Sequence, residues 1–225
     1  MTYAHVVTAK TSGQNGGTSG SVDTTGANFL VVLISKLNGV TVTVSDSKSN
    51  TWTGLTLQSG NQPNAQLFYV SGVPTVGSGH TFTIAGTNSF SLGIFSAFSG
   101  SDTAGQFDQQ SGAAGAGSPP GSITPSADNM LVIAGAAADG TGVSGNQPSG
   151  YTQLDAADTV GGASYGGATA YQIQTTATAT NPTWSFGFQG CVVAASFKAS
   201  AGGGGGATSL LVPSLSGWQR HQLNR

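Results

Sequence analysis

The chain has 225 residues, a formal net charge of −2 and 36 glycines, and only 6% of its residues are charged. Six basic residues against eight acidic ones provide too little positive charge for nucleic-acid binding, which depends on attraction to phosphates. Glutamate is absent, and Ser, Thr, Gly, Val and Phe dominate, so the composition excludes a mainly helical protein and favours strands joined by turns.

The amino-terminal sequence MTYAHVVTAKTSGQNGG lacks the basic segment and apolar stretch of a secretory signal. The longest apolar run, FLVVLI at residues 29–34, is far shorter than the roughly 20 residues that cross a bilayer. We therefore expect a soluble protein that is made in the cytoplasm and has no membrane partner.

Short segments rich in Val, Phe and Thr recur along the chain, separated by Gly, Asn, Ser and Pro. In order they read AHVVTAK, NFLVVLIS, GVTVTVSD, NTWTGLTL, AQLFYVSG, HTFTIAG and SFSLGIFSAFSG, then NMLVIAGAAAD, GYTQLDAAD, GATAYQIQ, PTWSFGF and CVVAASFKAS. Apolar and hydroxyl residues alternate in TVTVS at 41–45 and HTFTIAG at 80–86, as in antiparallel strands with one buried face. The pattern predicts an all-β fold, an antiparallel β-sandwich of jelly-roll-like type.

The two halves resemble each other at an offset of about a hundred residues. SVDTTGANFLVV from Ser21 matches SITPSADNMLVI from Ser122, NTWTGL matches SGYTQL, AQLFYV matches ATAYQI, and HTFTIAG matches PTWSFGF. We predict an internal duplication with half-repeats at about 20–100 and 121–199, joined by an exposed crossover at 109–122. Because halves of this size bury little apolar surface alone, intertwined sheets sharing one core are expected.

Residues 1–200 are thus predicted to form the sandwich, and residues 201–225 a separate tail. Five glycines at 202–206 form a linker, and ATSLLVPSLSGWQRHQLNR follows with both arginines of the chain. An apolar and basic segment of this kind favours docking onto a partner. The predicted partner-binding residues are Leu210, Leu211, Val212, Trp218, Arg220, His221 and Arg225.

The sequence offers no constellation for catalysis, cofactor binding or metal binding. His5, His80 and His221 lack metal-ligand spacing, no GxSxG elbow sits between a strand and a helix, and no phosphate-binding GxxxxGK[ST] loop is present. The pairs Asp102–Asp108 and Asp155–Asp158 lie beside turns, where aspartate usually accepts backbone hydrogen bonds. DSKSN at 46–50 has two readings, a calcium loop using Asp46 and Asn50 or an ordinary Asx turn. Cys191, the single cysteine, is predicted to be a buried thiol.

Aromatic side chains suggest a second kind of site. Flat rings bind the apolar faces of sugars, and Tyr165, in the glycine-rich segment GGASYGGA, is the best candidate for an exposed glycan contact. Trp52 and Tyr151 occupy matched positions in the two halves, as do Tyr69 and Tyr171, so repeated core packing explains these four better.

The series VTVSDSKSNTW, QLFYVSGVPTVGSGHTFTIAG, FSAFSG, ADNMLVIAGAAADG and VVAASFKAS resembles a β-sandwich domain found in bacterial surface proteins and tailed-phage virion proteins. The resemblance covers about residues 20–199, and it departs from the usual pattern at Ala97, Phe98 and Asn129–Met130. Its motifs are turn and strand signatures, so it implies the fold more than the function.

Together with the tail and the absence of a signal sequence, this resemblance implies a non-enzymatic virion structural protein assembled in the host cytoplasm. The first hypothesis is a phage capsid decoration or cement protein that binds the major capsid protein or another virion protein in many copies, as a homo-oligomer for which a trimer would fit. The alternative is a tail-fibre or adhesin module that binds cell-surface glycans.

Overall fold

The computed structural model describes residues 2–37, 41–60, 62–115, 119–140, 142–160, 162–186 and 189–200, with the side chains of 87–89 excepted. These residues form an all-β fold of two antiparallel sheets. No helix long and apolar enough to cross a membrane occurs among them. The predicted antiparallel sandwich is confirmed.

The strands within the described ranges are numbered in chain order. They are β1 (Ala4–Thr18), β2 (Phe29–Lys36), β3 (Val42–Asp46), β4 (Trp52–Gly54), β5 (Asn64–Val70), β6 (Phe82–Ser99), β7 (Phe107–Ala114), β8 (Met130–Asp139), β9 (Thr152–Ala157), β10 (Tyr165–Gln174) and β11 (Gly190–Phe197).

Each half of the chain builds one sheet, and the two sheets have the same strand order. The first is β1-β6-β2-β5-β4, with β3 added on β6, and the second is β7-β11-β8-β10-β9. The isolated bridge between Val22 and His80 recurs between Ile123 and Thr180. The sheets are therefore not intertwined, and the strands of one half stay together instead of alternating between sheets as in a jelly roll. The duplication also extends further than predicted, because β1 and β7 are equivalent strands.

The register of pairing refines the alignment of the halves. Phe29 pairs with Phe98 on β6, and Leu131 pairs with Phe197 on β11, so Leu131 is the equivalent of Phe29. The sequence alignment of the two halves instead matches Met130 with Phe29. One extra residue lies before β8, where Asn129 adopts the left-handed conformation with φ of 60°. A shift of one residue exchanges the two faces of a strand, so the structural alignment alone gives the inward set.

Apolar side chains fill three layers. The central layer, between the sheets, contains Phe29, Val31 and Leu33 from β2 and Val193 and Phe197 from β11. The outer face of each sheet is covered by its own loops and carries a separate apolar cluster. All eight residues of β2 and of β11 are consequently buried, although antiparallel strands often expose one face.

Three local predictions differ from the structure. HTFTIAG and SFSLGIFSAFSG form one long strand, β6. The stretch at 109–122 was predicted to be a crossover, but it includes most of β7. The sequence of β7, FDQQSGAA, forms a strand because it pairs with β11. The connection between the two sheets is residues 100–106. Residues 182–186 form no strand, yet Trp184 and Phe186 are buried against the outer face of the second sheet.

Gly135 lies opposite Leu33 in the centre of the sandwich. A Cβ atom on Gly135 would lie 2.5 Å from Leu33 Cδ1 and 3.0 Å from Val193 Cγ2. Leu33 follows Phe29 by four positions, and Gly135 follows Leu131 by four positions, with no change of register in either strand. Because Phe29 and Leu131 are equivalent, Leu33 and Gly135 are equivalent as well. The Leu33 side chain of the first half thus occupies the space that a side chain at the equivalent position of the second half, Gly135, would need.

This fit can be tested with a double-mutant cycle. We expect Gly135→Ala to lower the free energy of unfolding by about 1–3 kcal/mol through overpacking, and Leu33→Ala to lower it by about 2–5 kcal/mol through a cavity. The double variant should lose less than the sum, because Leu33→Ala makes room for the new methyl group. Urea unfolding measures each value. Gly20→Ala is the control, since a Cβ there meets nothing within 4 Å, and strict additivity would contradict the fit.

Candidate functional site: a buried aspartate–histidine–threonine network

The side chains of Asp46, His80 and Thr24 meet on the outer side of the first sheet. Asp46 ends β3, His80 precedes β6, and Thr24 lies in the segment that covers the sheet. The bridge between Val22 and His80 holds that segment beside β6. His80 and Thr24 are fully buried, each with 0% exposure.

The carboxylate of Asp46 is surrounded by N–H donors. Its Oδ1 accepts hydrogen bonds from Lys48 N (2.8 Å), Asn50 N (3.3 Å) and Asn50 Nδ2 (3.2 Å), and its Oδ2 accepts one from Trp52 Nε1 (2.8 Å). The Lys48 ammonium group donates to Ser78 O (3.1 Å). DSKSN therefore forms the Asx turn. Both carboxylate oxygens of Asp46 accept hydrogen bonds from N–H groups, whereas a calcium loop would need those oxygens as free ligands.

His80 lies between Asp46 and Thr24. Its Nδ1 is 2.9 Å from Thr24 Oγ1, and its Nε2 is 3.3 Å from Asp46 Oδ1, in a geometry outside that of a hydrogen bond. The carboxylate facing Nε2 favours the tautomer that carries the proton there, so that the Thr24 hydroxyl donates to Nδ1. Thr24 Oγ1 also accepts from Gly77 N (3.0 Å).

The order carboxylate, imidazole, hydroxyl is the order of a hydrolase triad. Here the hydroxyl is enclosed, because Thr24 is fully buried and its oxygen lies within hydrogen-bonding distance of both backbone groups of Gly77. A nucleophile must reach a substrate carbonyl, and this hydroxyl faces only its own chain. The network joins β3, the 22–27 segment and the start of β6.

The second half makes the corresponding link with fewer groups. Tyr151 is the structural equivalent of Trp52, and Thr180 is the bridge residue equivalent to His80. Tyr151 Oη lies 3.2 Å from Thr180 Oγ1, whereas Trp52 reaches His80 through Asp46. In the second half two hydroxyl groups therefore make the link that Asp46, His80 and Thr24 make in the first. This equivalence indicates that the network holds the covering segments against the outer face of the sheet.

The aspartates singled out from the sequence accept structural hydrogen bonds. Asp158 Oδ1 accepts from Ser144 N (3.0 Å), Gly142 N (3.1 Å) and Val143 N (2.8 Å), and these bonds lower the pKa of Asp158. Asp155 forms an ion pair with Lys10 at 2.7 Å.

The other aspartate pair is engaged in the same way. Asp108 Oδ2 accepts from Ser126 N (3.1 Å) and Ser196 Oγ (2.8 Å), and Asp102 Oδ1 accepts from Ala104 N (3.1 Å). Within the ranges that the structure covers, no three His, Cys, Asp or Glu side chains gather where a metal ion could be held.

Tyr165 lies in the first position of β10 and not in an exposed loop, because the strand begins earlier than the glycines suggested. Its ring is half-buried, 6.4 Å from the ring of Phe90. The predicted partner-binding residues Leu210, Leu211, Val212, Trp218, Arg220, His221 and Arg225 lie outside the described residues. Cys191 is buried in the central layer, as predicted.

Comparisons with protein-family models, curated proteins and solved structures find no match for this chain. No sequence pattern indicated the network around His80, because Thr24, Asp46 and His80 are far apart in the chain and show no motif spacing.

The network predicts a pH-dependent stability. Burial lowers the pKa of His80, and Asp46 opposes this effect only in part. His80 is therefore neutral in the folded protein, while in the unfolded chain it takes up a proton near pH 6.5. Its contribution is complete above that pH and is lost as the pH falls towards the lower folded-state pKa.

We expect the melting temperature of the protein to fall between pH 7.5 and pH 5, and His80→Gln to lower it at both values while removing most of the difference. His5→Gln should by itself remove a smaller part of the difference, because burial lowers the pKa of His5 as well, so the loss in His80→Gln has to exceed it. Asp23 and Asp158 titrate below this window, since the pKa of each is lowered. An unchanged pH dependence in His80→Gln would show that the network is not its source.

Proposed function

We propose that this chain is a non-enzymatic structural protein of a phage particle, a decoration or cement protein whose sandwich is the body and whose residues 207–225 anchor it to the shell. The partner in this proposal is the major capsid protein or another virion protein, bound in many copies by a homo-oligomer.

The observation that supports the proposal is the set of hydrogen bonds that holds residues 198–200 in place. Ser200 N donates to Gly100 O (2.8 Å), and Tyr3 Oη donates to Lys198 O (2.8 Å) and approaches Ser101 Oγ (3.0 Å). Tyr3 is 3% exposed and belongs to the central apolar layer. Residue 200, after which the proposed anchor follows in the sequence, is thus held beside the amino terminus by hydrogen bonds.

The charge distribution supports contact through the tail. Four lysines and all eight aspartates lie in residues 1–200, and both arginines lie at 220 and 225. A sandwich with excess negative charge and a basic, apolar tail can orient the tail towards carboxylates on another protein. Leu210, Leu211, Val212 and Trp218 would add roughly 25 cal/mol per Å² of apolar surface that they bury.

The internal contacts of the aspartates in the described residues are consistent with the same proposal. The carboxylates of Asp46, Asp108, Asp155 and Asp158 are used in internal hydrogen bonds or ion pairs, and His80 is enclosed. The glycan-binding alternative depends on Tyr165, whose half-buried ring offers a sugar less surface than the loop position expected from the sequence. Assembly is therefore the function that we favour.

Truncation after Ala201 tests the anchor. We expect the shortened protein to keep the melting temperature of the full chain, because Tyr3, Gly100 and Ser200 all remain, and to lose binding to purified shells of the source particle. The full-length variant Leu211→Ser with Trp218→Ser should weaken binding at least about tenfold, which corresponds to about 1.4 kcal/mol. Binding that survives both changes would remove the anchoring role.

Quantitative mass spectrometry of the particle then tests the location. A simple ratio to the major shell protein supports decoration, a few copies per particle indicate a tail or fibre component, and absence from the particle contradicts the proposal.

A further inference from the structure

The two halves contact each other in an exchanged pattern. Strand β5 of the first half packs on β11 of the second, and β10, the equivalent of β5, packs on β6, the equivalent of β11. The pairs β2 with β10 and β5 with β8 exchange in the same way, and β2 lies on its own equivalent, β8. Such reciprocity is the property of an isologous dimer, in which two like subunits are related by a twofold axis.

One seam between the sheets is closed by an aromatic triad drawn from both halves. His5 stacks on Tyr171 with ring centres 6.0 Å apart and an angle of 29°. Phe98 meets Tyr171 edge-on at 5.3 Å and His5 at 5.4 Å. The first half supplies His5 and Phe98, and the second supplies Tyr171, so neither half has the triad alone.

The opposite seam repeats the triad with the roles of the halves exchanged. Phe107 stacks on Tyr69 at 6.1 Å and 25°, and Phe197 lies 5.5 Å from Tyr69 and 6.2 Å from Phe107. The second half now supplies two rings and the first supplies the tyrosine. Aromatic pairs of this geometry contribute roughly 0.5–1.5 kcal/mol beyond the free energy of burying their surface. Each seam therefore favours one orientation of the two sheets in addition to burying apolar surface.

Two features make the halves complementary instead of identical. At the centre, the Leu33 side chain occupies the space that a side chain on Gly135 would need. At one edge, Lys10 Nζ binds Asp155 Oδ1 (2.7 Å) and Ala156 O (2.8 Å). The other edge uses neutral groups, with Gln110 Oε1 accepting from Thr56 N (2.9 Å) and Gln110 Nε2 donating to Thr56 Oγ1 (2.8 Å).

A pair of like halves would lose both features. Two first halves would bring two Leu33 side chains together at the axis and would leave Lys10 opposite a β4 region, 50–58, that has no carboxylate. Two second halves would leave a gap between two Gly135 residues, and Asp155 would face Gly112, which stands where β1 has Lys10. Overpacking, cavities and unpaired charges each select against the wrong pairing.

We infer that the inner faces of the two halves are a heterotypic recognition surface, so that residues 2–99 and 107–200 are two complementary subunits joined in one chain. The partner of each inner face is the opposite half, and the connection at 100–106 raises the local concentration of the partners without being needed for their association. This inference does not depend on the proposed role in a phage particle.

The experiment cuts the full-length folded protein. Thr103, Ala104 and Gly105 are exposed in the connection between the sheets, and a recognition sequence for a site-specific protease placed between Ala104 and Gly105 allows cleavage there. After cleavage we expect native mass spectrometry to show one copy of each piece in a single complex. After unfolding in urea and dilution, the same 1:1 complex should re-form in preference to pairs of like pieces.

A matched pair of variants tests the selectivity. In the cleaved protein, Gly135→Leu should weaken re-association at least tenfold, and adding Leu33→Gly should restore it, because the large residue and the space exchange places. Circular dichroism of the uncut variants separates a failure to associate from a failure to fold. Separation of the pieces on cleavage, equal amounts of like and unlike pairs after refolding, or a double variant with folded uncut protein but no recovery would each overturn the inference.

Discussion

Packing of the two inner sheet faces against each other is the interaction on which this structure depends. Phe29 and Phe197 meet there with ring centres 4.6 Å apart, and Tyr3 and Tyr69 pack around the same rings. Because each half supplies one sheet, the apolar face of each half is covered only by the other. A single sheet with such a face would be unstable in water, so the duplicated halves fold as one unit.

The outer layers follow from the same constraint. The central strands of both sheets are buried on both sides, which requires a cover on each outer face. In the second half the cover includes Tyr151 and Trp184, while in the first it includes Trp52 and the hydrogen-bonded Asp46, His80 and Thr24. Polar groups placed in a covered layer need partners, which explains the dense bonding around Asp46 without any appeal to catalysis.

The few charged residues of this chain serve mainly structural roles. A chain with 6% charged residues places most of its aspartates in turns and seams, where they accept backbone or side-chain hydrogen bonds. Ser200, the last described residue, is held by its hydrogen bond to Gly100 O, and Tyr3 near the amino terminus donates to Lys198 O.

The β class, the duplication and the burial of Cys191 could be predicted from the amino-acid sequence, and the turn at Asp46–Asn50 was one of the two readings that it allowed. These features depend on local properties, namely the period of two, the repeated strings, the Asx motif and the apolar neighbours of the thiol. The tertiary structure alone decided the face of β8, the inclusion of FDQQSGAA as β7, the burial of His80 and the half-buried position of Tyr165. It also decided that Leu33 fills the space beside Gly135 and that each seam takes aromatic rings from both halves. These features depend on contacts between residues distant in the chain, and such contacts leave no periodic or motif signal in a single sequence.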